Sequence, residues 1–424
     1  MRSAGVRSQK SGEQIVSFDE ALATVEEQAA KVNLPDTERV AITEAVGRVL
    51  ASAVVADRDQ PPFDRSTRDG YAVRSSEAMR GGWLQVAGQI PAGACRDEHL
   101  QPGHTLAIMT GAPVPPDTDA VVMLEHVEEN NLTDQPAIRL SEGRKIAAGS
   151  NIVPRGSEAR AGDVALKRGT RMDPAAIALA AGCGAATLDV FLRPKVSIVA
   201  TGDELVNVTE TPGPQEIRNS NSYGLAALVI EAGGTPLVKP IARDQREALE
   251  TSIREARAAD LMLLTGGVSM GEYDLVEKVL LSMGARFFFT GVTMQPGKPA
   301  VFGQLPEKDG APAVYFFGLP GNPVSTQVTF ACFVATMLKA LAGCGIEAPR
   351  FAQATLMERV EGRPGLTRVL PARLTSNRAR PEVKLVVWQG SGDMGANARA
   401  NCYAVLPGDT AHFEPETVIT ILLR

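Results

Sequence analysis

The chain has little with which to bind a soft metal. It carries four histidines, none at metal-ligand spacing, and five cysteines, Cys95, Cys183, Cys332, Cys344 and Cys402, scattered without a CxxC pair. A zinc or iron centre is therefore disfavoured, and any metal should be hard and oxygen-bound. An odd number of dispersed thiols also argues against a disulfide framework. They read as reduced and mostly buried, with Cys332 inside the apolar run VTFACFVATML. Positive charge is scarce as well: 43 Lys and Arg stand against 49 Asp and Glu, and aromatics make up 5%. No basic run is interleaved with aromatics, so nucleic acid is not an expected partner. Long apolar runs are missing too. No segment approaches the ~20 apolar residues of a membrane span, and MRSAGVRSQKSGEQ has no apolar signal core. No membrane partner is expected, and the cytoplasm is the expected compartment.

With 424 residues, 44% apolar and 22% charged, the chain is too long for one core. Residues 1–15 are polar and are expected to be disordered. Ser17 and Glu20 then form a capping box ahead of a helix. From 47 to 158 the chain breaks into short β-like pieces, WLQVAGQI, HTLAIM, AVVMLEHV and AIRL, separated by Gly and Pro. Asp173 and Pro174 open a short helix, AAIALAAGCG, that links units. Between 194 and 344, strands alternate with helical stretches, the signature of a mostly parallel α/β sheet. Short β runs return over 345–424. The fold class is α/β multidomain, with a β-rich N-terminal unit and a small C-terminal β unit.

Three apolar runs in the α/β region empty into glycine-bearing loops: VSIVATGDEL at 196–205, LMLLTGGVSMGEYD at 261–274 and AVYFFGLPGNPVS at 313–325. Strands buried on both faces read this way, and ligands sit beyond their carboxyl ends. Gly202, Gly266, Gly267 and Gly321 let the backbone approach an anion, and helices that follow direct free N–H groups at it. Each loop alone is equally a plain strand-to-helix turn. Three together, carrying Asp203, Glu204 and Asp274, point to a site for a phosphate-like ligand.

Two further segments, PPFDRSTRDGYAV at 61–73 and MTGAPVPPDTDAVVMLE at 109–125, are dense in turn formers and charge. Asp117 and Asp119 read as solvated turn residues. Asp69, beside Gly70 and flanked by Arg65 and Arg68, lies in a loop where a carboxylate suits a metal or a leaving group. In VTMQPGKPAVFG, Lys298 hangs from a stiffened loop and suits an oxyanion. Pro299 follows it where a P-loop has Ser or Thr, and GGVSMG lacks the GxGxxG spacing of a nicotinamide site.

Taken in order, FDRSTRDGYAV, IMTGAPVP, GSNIVPRGSE, ATGDEL, RNSNSY, TGGVSMGEYD, PGKP, FFGLPGNPVS and QGSGDMGANARANCYAVLPGD resemble one family across residues 16 to 424: the MoeA molybdopterin molybdenumtransferases, with the gephyrin and plant E domains. The resemblance implies an L-shaped homodimer of four-domain subunits. Residues 16–46 with 159–193 would form an elongated linking and dimerisation domain, and the C-terminal domain would be barrel-like. It implies molybdenum insertion from molybdate into adenylylated molybdopterin with Mg²⁺ and release of AMP. Transient contact with other proteins of molybdenum cofactor biosynthesis is also expected. Asp69, Thr110, Glu204, Asp244 and Asp274 match catalytic or nucleotide positions, with Glu204 and Asp274 assigned to magnesium and Asp69 acting across the dimer interface. Gly202, Asp203, Gly266, Gly267, Ser269, Lys298, Pro299, Pro320, Gly321, Asn322, Pro323, Ser325, Arg368 and Ser391 match substrate-binding positions, and Arg373 is a further candidate. Both reactants are anionic, so fixed cations and backbone donors must offset their repulsion.

Two positions depart from the family pattern. Glu158 stands where an aspartate is usual, and Gln295 where many relatives carry a base. Glu216 and Arg218, just before Asn219, are read as serving structure or substrate orientation and are left unassigned between the two. Two alternatives stay open: an adenylyltransferase of the MogA type, and a noncatalytic scaffold like gephyrin.

Overall fold

The computed structural model describes residues 14–94, 99–130, 135–267, 275–308, 310–376 and 380–424. Its centre is a six-stranded sheet in the order Thr235–Val238, Lys195–Ala200, Leu261–Thr265, Val314–Leu319, Val301–Leu305, Arg286–Phe289. The first four strands run parallel, Val301–Leu305 runs against them, and Arg286–Phe289, antiparallel to Val301–Leu305, runs with them. Alternate residues of one strand feed opposite cores, as the two-residue period requires. Leu261 and Leu263 pack on one face with Val229, Val324 and Val328. Met262 and Leu264 pack on the other with Leu249, Ile253 and Val279. Burial on both faces explains why these strands read as unbroken apolar runs.

The three strands with glycine-bearing loops are neighbours. Ala200 lies opposite Thr265, and Thr265 opposite Leu319, so their carboxyl ends open at one level of the sheet edge. The third loop enters a helical run from Pro323 to Leu341 that contains a π-helical turn, Phe330–Val334. Against the expectation that no segment reaches membrane-spanning length, this run is long and apolar enough, but 72% of its apolar window is buried inside the protein. It is a core helix.

The capping box forms as expected: Glu20 N–H donates to Ser17 Oγ and Ser17 N–H to Glu20 Oε2. The helix it opens, Phe18–Ala29, puts Phe18, Ala21, Val25 and Ala29 into the core of the central sheet. Phe18 meets Phe333 with ring centroids 6.0 Å apart. Ile15, expected in a disordered tail, instead forms with Val16 a short parallel pairing onto Gly291–Val292. Backbone hydrogen bonding to an available strand edge outweighs the polar composition of the residues before it. Asp173 caps the helix Pro174–Gly182 through Ala176 N–H, with Pro174 at its first turn.

The N-terminal β unit is a six-stranded sheet, Ala120–Met123, Gly70–Val73, His104–Ile108, Leu84–Ile90, Ala137–Leu140, Val127–Asn130. At the C-terminus, Thr367–Ser376, Pro381–Leu385, Phe351–Leu356, Val418–Leu423 and Cys402–Leu406 pair in a ring that closes on itself, a five-stranded barrel. Met294–Gln295 adds to the first of these strands and ties the barrel to the central unit.

Candidate functional site

A cleft of about 670 Å³ opens where the three parallel strands end. Its walls come from the loop after each strand, from the segment Glu216–Asn221, and from Gly392 and Met394 of the C-terminal unit. Closeness of backbone is what builds it. Gly266 has φ of +89°, and a Cβ there would lie 2.2 Å from Thr201 O. No side chain fits, so the first two loops touch through bare backbone.

Hydrogen bonds fix the loops to one another. Thr201 Oγ1 donates to Asp244 Oδ1 at 2.6 Å, and Asp244 N–H donates to Asp203 Oδ1 at 3.3 Å. Asn221 Nδ2 donates to Thr265 Oγ1 at 3.0 Å and to Gly321 O at 2.7 Å, joining the second loop to the third. Because Gly321 O only accepts, the amide orientation of Asn221 follows. Thr326 Oγ1 donates to Pro320 O at 2.6 Å and locks the third turn. Val324 N–H donates to Ser391 O at 3.0 Å, which seats the QGS loop on the start of the core helix.

The predicted residues fall into three places. Glu204, Gly266, Gly321, Asn322 and Pro323 line the cleft. Gly202, Asp203, Gly267, Pro320, Ser325 and Ser391 belong to the same loops and helix start without lining the cleft, with Ser325 only 4% exposed, and Asp244, on the loop after Thr235–Val238, is bonded to the first of them. Glu204 is exposed, and its carboxylate folds over Gly202, where a Cβ would meet it at 2.5 Å. Ser269 and Asp274 lie outside the described residues.

Lys298, Pro299 and Arg368 form a second place. Gly297 packs against Thr329, nearly two turns into the core helix, and Gln295 lies opposite Arg368 in the strand pairing. Lys298 is exposed and does not line the cleft. Arg368 donates to Glu361 O, and its Nε is buried without an acceptor. Burial, then the nearby Arg363 charge, pulls the guanidinium below its ordinary pKa. Arg373, five residues further along the strand, faces the opposite side.

Asp69 and Thr110 make the third place, in the N-terminal β unit. Thr110 N–H and its hydroxyl both donate to Asp69 Oδ1, at 2.7 and 3.0 Å. These two bonds, the backbone one first, hold the Asp69 carboxyl below the usual carboxylate range. Neither residue lines the cleft of its own chain. Nearby, Asp119 accepts from Ser75 N–H and Oγ, and Asp117 from Leu100 N–H and the His99 ring. Both are therefore turn-fixing acceptors more than solvated charges. Glu158 pairs with Arg65 at 3.1 Å on the surface.

Sequence reasoning missed Asn219, Asn221 and Met394, and left Arg218 unassigned between structure and substrate orientation. Asn219 carries a readable signal, since an Asn before a helical run is a good N-cap, and its Oδ1 accepts from Ser222 N–H. Asn221 carries none, because its two partners are 44 and 100 residues away. Among the described residues no group of three or more His, Cys, Asp or Glu is placed to hold a metal.

Three family models match the chain: the MoeA N-terminal region, domains I and II, over 16–184; a probable molybdopterin binding domain over 197–340; and the MoeA C-terminal region, domain IV, over 353–423. A molybdopterin molybdenumtransferase of Bacillus subtilis is 34% identical over 394 residues, covering 92% of this chain and 90% of the relative. One from Nostoc is 38% identical over 322 residues, 73% and 70% of the two chains. The crystal structure of a molybdopterin biosynthesis MoeA protein from Pyrococcus horikoshii superposes with a TM-score of 0.78 at 27% identity, covering 97% of this chain and all of that one (100%). The chain belongs to the MoeA family of molybdopterin molybdenumtransferases.

Proposed function

We propose that the cleft at the carboxyl edge of the central sheet binds adenylylated molybdopterin, and that this molybdopterin molybdenumtransferase inserts molybdenum from molybdate there with release of AMP. The observation that carries the reading is the convergence of three glycine-bearing loops from adjacent parallel strands on one cleft that presents Glu204. That is where an open α/β sheet binds phosphorylated ligands. Attack of water on the phosphoanhydride releases AMP and frees the pterin, whose two dithiolene thiols bind the molybdenum of molybdate as one molybdate oxygen leaves as water with their two protons. An α/β unit alone would serve an adenylyltransferase of the MogA type. Here the barrel contributes cleft wall through Gly392 and Met394, which favours the insertion reaction.

Glu204 fits a magnesium ion in kind: its carboxylate lies on the cleft without a protein partner among the described residues, and Mg²⁺ is held by one or two carboxylates together with substrate phosphates. Glu204, with Asp274, would hold it, and the ion would neutralise the phosphoanhydride. The residues of the chain do the rest. Thr201 orients Asp244, Asn221 sets the spacing of the second and third loops, and the start of the helix Ser220–Glu231, whose Ser220 and Asn221 line the cleft, favours an anion there. In a homodimer, the Asp69–Thr110 pair of one copy completes the cleft of the other.

The test is incubation with adenylylated molybdopterin, Mg²⁺ and molybdate, following AMP by chromatography and molybdenum incorporation by mass spectrometry. Both should rise together. Asp69→Asn should abolish insertion while leaving pterin binding and dimerisation intact. Binding of the pterin without AMP release by the unmodified protein would leave a scaffold role and refute the enzymatic one.

A further inference from the structure

We infer that Arg218 is the cation that binds the phosphate of the substrate in the cleft, an assignment resting on the cleft being the site of adenylylated molybdopterin. The charge balance of the walls carries it. The ionisable side chains among the described residues lining the cleft are Glu204, Glu216 and Arg218. Two acids and one base face a ligand that brings more negative charge, so Arg218 is the one side chain of the described wall able to offset it directly. Lys298 and Arg368, the bases singled out by motif, are not in that wall.

The position of Arg218 is built rather than incidental. Leu205–Val206 and Ile217–Arg218 pair in parallel, with Val206 opposite Arg218. Ile217 N–H donates to Glu204 O at 2.8 Å, and Asn219 N–H to Val206 O at 2.9 Å. The base is thus laced to the loop that carries Glu204. The next residue, Asn219, caps the 12-residue helix Ser220–Glu231, whose first residues Ser220 and Asn221 also line the cleft. Arg218 therefore stands beside a helix N-terminus, where an anion is already favoured. Its Nε donates to Glu210 O at 3.0 Å. That bond fixes one side of the guanidinium, and the terminal nitrogens have no partner among the described residues. A planar fork held at Nε with its terminal nitrogens free is suited to two parallel bonds to phosphate oxygens.

The experiment measures binding of AMP, and of adenosine as the phosphate-free control, to the full chain and to Arg218→Gln and Arg218→Lys by calorimetry. Arg218→Gln should weaken AMP by about 10- to 100-fold, the worth of a charge-assisted contact, and leave adenosine unchanged. Arg218→Lys should recover part of the AMP affinity. Added salt should weaken AMP binding to the unmodified protein more than to Arg218→Gln. In turnover, Arg218→Gln should raise KM for adenylylated molybdopterin more than it lowers kcat. If Arg218→Gln binds AMP as tightly as the unmodified protein, the assignment falls while the reading of the cleft stands. If the unmodified protein itself binds no AMP and releases none, that reading fails and the assignment goes with it. Equal loss of AMP and adenosine in both variants would mean Arg218 only shapes the fold, which also overturns the proposal.

Discussion

Substituting Gly266 by alanine tests whether bare backbone contact between loops holds the cleft together. At φ of +89° an alanine pays the left-handed penalty, about 1–2 kcal/mol. Its methyl carbon would also start 2.2 Å from Thr201 O, far inside contact distance. Relief requires moving the Thr201 carbonyl away, yet Thr201 N–H is bonded to Thr265 O at 2.9 Å, so the first and second strands must part at their ends. Overpacking of this kind costs a further ~1–3 kcal/mol. The sum is about 2–5 kcal/mol, which lowers the melting transition of a unit this size by about 4–20 °C. Gly321→Ala is the internal control. Its methyl carbon would meet nothing nearer than Gly266 Cα at 3.7 Å, and its backbone is not in the left-handed region. It should stay within about 0.5 kcal/mol of the parent. Differential scanning calorimetry of both variants decides: equal, small shifts would refute the idea that the second loop needs glycine for close approach.

Other outcomes follow from the same geometry. Thr110→Val removes the hydroxyl donor to Asp69 but keeps the backbone one, so the Asp69 pKa should rise yet remain below the ordinary carboxylate value, as read by carboxyl-carbon NMR titration. Because the folded pKa is the lowered one, this group's stabilisation is present above the unfolded value near ~3.9 and fades as pH falls through the folded value. Burial pushes the Cys332 thiol up strongly and that of Cys402 up to about 11, so neither should react with iodoacetamide at neutral pH until unfolding, which peptide mass spectrometry would show. Asn221→Asp sets a carboxylate against Gly321 O and should cost about 1–3 kcal/mol in urea unfolding, with loss of AMP release; an unchanged midpoint would mean that the bridge between loops contributes nothing. Mixing Asp69→Asn with Glu204→Gln subunits should restore about one quarter of the sites if each cleft draws on two copies, whereas none should return if each chain is self-sufficient.

Local signals were readable because their partners are close in sequence. Ser17 with Glu20 and Asp173 with Ala176 are spaced three apart and form the expected caps. The adjacency of the three loops was also legible, since continuous apolar strands in an α/β pattern leave few sheet orders and their exits carry the glycines. What stayed hidden depends on pairings between distant segments. The Asn221 bridge joins three elements, and nothing near Asn221 announces it. Lys298 shows the reverse: its loop chemistry was clear, but the strand pairing of Met294–Gln295 onto Thr367–Arg368 sets it in the second group of residues and not in the cleft wall. The parity of a strand likewise separates Arg368 from Arg373, which composition alone cannot do.

The barrel's part in the cleft follows from how it is attached. Val369, Tyr403, Val405 and Leu422 on its outer face share one core with Phe333 and Met337 of the helix that begins at the third loop. Asn397 Nδ2 adds a bond to Gln327 Oε1 at 2.8 Å, and Val324 N–H holds Ser391 O. Apolar packing and two polar clasps on a single helix leave the barrel little freedom to rock against the sheet. Gly321 and Gly392, on opposite sides of the cleft, are thus anchored to the same helix, and groups held in place before charge arrives need less reorganisation than mobile ones. An arrangement of that kind suits a reaction whose two reactants repel each other, because the energy of bringing them together is then met by groups already in place.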